Sequence, residues 1–329
     1  MSLEPQAPET ASALPDHSLR QIMLAQKARQ ANLARKALFI LIVFLAGFGG
    51  GYFTGRQSTP ATAALPAKKA AVNVNGIFQP EGYTIPATFG NIGPQMVAYG
   101  AIDLARFIEL YKQNGHPLSD EQLAILTKES SSQIVINQQN ANFLLNFFWA
   151  FGLTNKNPIL TEGQMMSGGK DKASNFASTG GWTLGTKAPM DLYASATFLP
   201  LTEDQQARLL KVASSVYRPC CDNPTHFPDC NHGMAMLGLL ELMASQDASE
   251  ADMFNAAKYV NAYWFPQQTL EIATYLKANQ KIDFAQADAS LVVSRRYSSG
   301  SGFKDVHQWL VENGLLEQAP GSGGSCAVQ

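Results

Sequence analysis

"VINQQNANFLLNFFWAFGL", Val135 to Leu153, is the stretch on which the fold turns. From Phe143 onward apolar side chains fill nearly every position, leaving no polar face to turn toward water. Such a segment reads as one helix buried in the middle of a core. It predicts a mainly α protein organised around that helix.

On its N-terminal side, "PQMVAYGAIDLARFIELYKQNG", Pro94 to Gly115, spaces Val97, Ile102, Leu104, Phe107, Ile108 and Tyr111 at helical intervals and ends on Asn-Gly. This predicts a single helix that stops at Gly115. In "SDEQLAILTKES", Ser119 precedes Gln122 by three residues, a capping box in which each side chain satisfies an otherwise unpaired amide. On the C-terminal side, "TEGQMMSGGKDKASNFASTGGWTLG", Thr161 to Gly185, breaks the periodicity with Gly and Ser clusters. A stretch this long without periodicity is disordered or functional. It is not a phosphate loop, because Gly169 takes the lysine position of G-x4-G-K-[ST] and Asp171 follows Lys170.

"PLTEDQQARLLKVASS", from Pro200, resembles "PLSDEQLAILTKESS", from Pro117. A hydroxyl cap and an acidic first turn are what any helix start prefers, so no internal duplication is needed to explain the likeness. Further helices are expected at "HGMAMLGLLELMA", at "SEADMFNAAKYVNAYW" with Ser249 as cap, at "PQQTLEIATYLKAN" opened by Pro266, and at "FKDVHQWLVENG", ending on Gly314. Residues 72–317 are thus expected to form an all-α domain, and residues 318–329 a flexible tail carrying Cys326.

The N-terminal part has a different character. "ALFILIVFLAGFGGGYFTG", residues 37–55, is uncharged throughout and long enough to cross a hydrocarbon layer of about 30 Å as a helix. Arg20, Lys27, Arg29, Arg35 and Lys36 precede it without an acid among them. The positive-inside bias then predicts a single-pass anchor in the cell membrane, with residues 1–36 as a cytoplasmic basic tail, 56–71 as a linker and the main domain extracytoplasmic, or periplasmic. A cleaved signal peptide fits less well: the charged region before the apolar run is too long, and so is the run itself.

Length and a hydrophobic share of 46% indicate a globular chain with a sizeable core. A formal net charge of −2 offers no clustered cation for phosphate, which argues against nucleic acid as a partner. No acid/base pair, Ser/His/Asp set or H-E-x-x-H helix supports hydrolysis, so the chain is not expected to be a stand-alone enzyme.

Chemistry concentrates in "RPCCDNPTHFPDCNHGMAM", Arg218 to Met236, which holds three of the four cysteines and two of the five histidines. Asp229 reads as the cap of a helix, with Cys230 in its first turn and His232 close behind; that position favours a thiolate and a neutral imidazole. Cys220, Cys221, Cys230 and His232 are therefore candidate metal ligands, with Met234, Met236, His226 and Cys326 as possible additions. The spacing fits neither a zinc finger nor a c-type haem, and the C-x-H half of a Rieske motif has no C-x-x-H partner. Thiolate, thioether and imidazole together suit copper as Cu(I). An iron–sulfur cluster would use the thiolates alone, and zinc is a further option.

Three functions follow as expectations. The first is a membrane-anchored metal-binding protein for electron transfer or metal handling, beside a membrane protein complex or redox partner. The second is a membrane-anchored interaction subunit without metal, stapled by disulfides, for instance Cys221 with Cys230 and Cys220 with Cys326. The third is a thiol–disulfide or metal relay that uses the C-terminal cysteine as a mobile arm.

Overall fold

Two nearly all-apolar helices form the centre of the domain. In the computed structural model, which describes residues 72–316, nine helices of eight residues or more accompany a short sheet. They are α1 (Ile92–Tyr99), α2 (Leu104–Gln113), α3 (Asp120–Thr127), α4 (Ala141–Thr154), α5 (Glu203–Ala213), α6 (Asn231–Ser245), α7 (Glu250–Trp264), α8 (Pro266–Tyr275) and α9 (Gly300–Glu312). The strands are β1 (Tyr83–Gly90) and β2 (Ser130–Ile136), paired antiparallel.

α4 is the helix expected from the opening stretch, and all of its residues but Asn142 are buried. It lies against α6, buried from Asn231 to Ala244. The two backbones meet at glycines. A Cβ on Gly238 would stand 2.6 Å from the Phe148 carbonyl oxygen and 2.8 Å from the Gly152 nitrogen, while one on Gly152 would run into the Met234 carbonyl. α5 and α7 flank α6, and α9 packs on α8.

Several helix starts behave as their sequences require. Ser119 and Thr202 both make complete capping boxes, with Gln122 and Gln205. The Ser249 side chain caps α7, and Pro266 stands at the first position of α8.

Other expectations need correcting. The domain is not all-α: Val135 and Ile136 end β2, and α4 begins only at Ala141 after the Asn137–Asn140 turn. β1 buries Ile85, Ala87 and Phe89 on one face, the period-two pattern of a half-buried strand. Its register slips between Ile85 and Thr88, around Pro86, which has no N–H to give the ladder. The single helix expected from Pro94 to Gly115 is two, because Gly100 caps α1 in the left-handed region at φ 89° and Asp103 caps α2 through the Arg106 amide. The Gly- and Ser-rich stretch from Thr161 to Gly185 is ordered as short helical turns, with Met165 and Trp182 buried.

The single-pass membrane expectation is also overturned: no helix among the described residues is long and apolar enough to cross a membrane. Segment 37–55, on which that expectation was placed, lies outside the described residues, as do the basic tail, the linker and Cys326.

Candidate metal centre

After α5 ends at Ala213 the chain folds back on itself. Thr225 donates from its amide to the Val216 carbonyl at 2.8 Å, and the His226 amide donates to Ala213 at 3.0 Å. The loop between them, stiffened by Pro224 and Pro228, returns the chain to the start of α6. This doubling back brings Cys220 and Cys221 to Cys230, so that the three Sγ atoms all lie within 4.8 Å of one another. Cys220 and Cys230 are 3.5 Å apart. All three are free thiols; Cys220 is exposed and the other two are half-buried.

Cys230 is itself the N-cap of α6, one residue later than the Asp229 cap expected from sequence, and its sulfur accepts from the Gly233 amide at 3.4 Å. Asp229 is used otherwise. One carboxylate oxygen accepts from Arg218 Nη2 at 2.6 Å and the other from Asn223 Nδ2 at 2.8 Å. Arg218, only 1% exposed, lies beneath the cluster. Its Nε donates to Cys230 Sγ at 2.9 Å and its Nη1 to the Asn223 carbonyl at 2.8 Å. The guanidinium therefore ties one sulfur, one carboxylate and the loop backbone together.

A second helix begins here. α9 is capped by Ser299, and its Gly300 amide donates to the Cys221 carbonyl at 2.8 Å. The Ser301 amide and hydroxyl both donate to Asp222 Oδ1 at 2.7 Å. The positive ends of α6 and α9 thus converge on the cysteines and favour negative charge there.

That charge settles on one sulfur. Cys230 is held well below the usual thiol range by hydrogen bonds from Cys220 and Cys221, which outweigh burial, with Arg218 adding its charge and its own hydrogen bond. Cys220 is pushed far up by its hydrogen bonds with Cys221 and then Cys230, with desolvation of its sulfur adding to them. At Cys221 the bond to Cys220 pulls downward, but the bond to Cys230 and burial prevail and raise it to about 11. Burial works against the charge on Arg218, and the sulfurs of Cys230, Cys221 and Cys220 outweigh it. Negative charge in the cluster is therefore favoured first on Cys230, which stands beside the Arg218 guanidinium and 3.5 Å from the Cys220 sulfur.

The other expected ligands among the described residues are placed apart from the sulfurs. His232 is not in the converging group: its Nδ1 lies 3.0 Å from Asn231 Oδ1, and its ring packs on Phe265 and Trp264. Burial pushes its imidazole down to about 4, which keeps it neutral. His226 is also outside the group, in the loop, with Nδ1 buried and unpartnered. Met234 and Met236 belong to the apolar core. Arg218 and Gly233 are the residues that sequence reasoning missed. A Cβ at Gly233 would stand 2.5 Å from the Arg218 guanidinium carbon, so only glycine lets that side chain reach Cys230.

Three sulfurs on two segments are a donor set for a soft metal. Sulfurs bound to one ion at about 2.3 Å lie about 3.8 Å apart in tetrahedral and about 4.0 Å apart in trigonal geometry, by simple trigonometry on that bond length. The Cys220–Cys230 gap of 3.5 Å is a few tenths of an ångström shorter than either, and all three sulfurs lie within 4.8 Å. Compared with protein-family models, with curated proteins and with solved structures, the chain finds no match, and its functional reading rests on this site alone.

Proposed function

We propose that this protein binds one soft metal ion through Cys220, Cys221 and Cys230 and serves in metal handling, with Cu(I) as the ion whose preferences the site meets best. The observation that carries the reading is the convergence of three sulfurs within 4.8 Å over a buried guanidinium. Thiolate donors select Cu(I), which is content with three ligands, whereas structural zinc takes four. An iron–sulfur cluster, with its thiolates on different irons, spreads its ligands wider than one ion does. Binding would release thiol protons, and Arg218 together with two helix starts would balance part of the resulting negative charge. The exposed edge at Cys220 gives the ion a way in and out.

The test is an anaerobic titration of the reduced full chain with Cu(I), read by metal analysis and by ultraviolet thiolate-to-metal absorption. One ion per chain is expected, with the absorption lost in Cys230→Ser while circular dichroism is retained. A chain that takes up no ion, or a Cys230→Ser variant that binds like the wild type, overturns the proposal. A visible band that bleaches on reduction would assign an iron–sulfur cluster instead.

A further inference from the structure

The three sulfurs do not have equivalent surroundings. Cys230 Sγ is fixed from below by Arg218 Nε at 2.9 Å and by the Gly233 amide at 3.4 Å, both donors that stabilise an anionic sulfur. Cys220 is exposed, and its Sγ stands 3.5 Å from Cys230 Sγ, a gap that must close by about 1.5 Å to reach disulfide length. Cys221 is restrained differently. Its carbonyl accepts from Gly300, and its sulfur is oriented toward the Asn223 carbonyl and Asp229 Oδ1 at 3.9 and 3.8 Å. The geometry therefore singles out one fixed nucleophile and one accessible partner.

We infer that the ion-free protein carries a thiol–disulfide exchange activity in which Cys230 attacks an organic disulfide and Cys220 resolves the adduct. In the first step the Cys230 sulfur attacks one sulfur of R–S–S–R. The S–S bond breaks, R–S⁻ leaves and takes a proton from solvent, and Cys230 is left in a mixed disulfide. In the second step Cys220 gives its proton to solvent and attacks Cys230 Sγ, expelling the second R–S⁻ as the Cys220–Cys230 bond forms. Two protein thiols are oxidised, and one disulfide is reduced to two R–SH. Cys221 takes no part. One corollary rests on the metal reading above: an ion on Cys230 occupies the nucleophile, so loading and exchange exclude each other.

The experiment uses the reduced, chelator-treated full chain with oxidised glutathione as the probe, quenched by alkylation and mapped by mass spectrometry. A Cys220–Cys230 linkage with Cys221 alkylated is expected. Cys220→Ser should stop at a glutathione adduct on Cys230, and Cys230→Ser should react at least about tenfold more slowly. A linkage that includes Cys221, a first adduct on Cys220, or an undiminished rate in Cys230→Ser overturns the inference. A chain that exchanges in this way yet binds no Cu(I) defeats the metal reading alone. One that binds Cu(I) but reacts through Cys221 defeats the exchange alone.

Discussion

At the scale of single residues, Arg218 decides what the cysteines can do. It is buried and ion-paired to Asp229 at 2.6 Å, while also donating to Cys230. Removing one partner of such a pair leaves buried charge uncompensated, so Arg218→Leu is expected to lower stability by about 3–5 kcal/mol in urea unfolding. Arg218→Lys should recover little of this, since an ammonium cannot span a sulfur, a carbonyl and a carboxylate at once. Gly233→Ala tests the same contact from the other side. Its new methyl pushes the guanidinium off Cys230, and alkylation of Cys230 at pH 7 should slow by about tenfold, equivalent to about 1.4 kcal/mol. The three cysteines were legible in the sequence as a cluster because of their spacing. Arg218 was not: an arginine beside a loop reads as a surface charge, and its burial exists only once the loop has folded back. The same holds for His232, which helical spacing placed beside Cys230 but whose ring turns to Phe265.

At the scale of elements, the helix starts were the most readable feature, because capping is local chemistry that needs no tertiary partner. Ser119, Thr202, Ser249 and Pro266 all act as their sequences demand. The sheet was missed because Pro86 interrupts an otherwise alternating strand, and because β2 runs into the apolar helix after it with only a short polar turn between. The break at Gly100 was hidden by a hydrophobic pattern that continues in phase across it. Helix contact carries its own prediction. Gly238→Ala introduces a methyl 2.6 Å from the Phe148 carbonyl, and wedging α4 from α6 should cost about 1–3 kcal/mol, read as a lowered urea midpoint. Because α6 begins at Cys230, the same variant should weaken Cu(I) binding even though it touches no sulfur.

At the scale of the whole molecule, one buried acid contributes a distinct part of how stability responds to pH. Glu241 is fully buried in α6, accepts from Asn155 Nδ2 at 2.9 Å, and has its other oxygen unpartnered. Burial raises its carboxyl to about 8, opposed by the Asn155 hydrogen bond. Between its ordinary value and 8 the unfolded chain gives up this proton while the folded chain keeps it, so stability falls as pH rises; below and above that window the two states agree. Glu241→Gln removes this slope. Set against that variant, the wild type should lose up to about 5 kcal/mol between pH 4.5 and 8, measured by urea unfolding across the range. An equal pH response in both proteins would show Glu241 ionised in the fold. The glycine contact between α4 and α6 has a consequence of another kind. Where main chain rests directly on main chain, no rotamer lies between the two helices to hop and blur their spacing. The axis of the helix that Cys230 caps is thus set, at that crossing, by backbone alone.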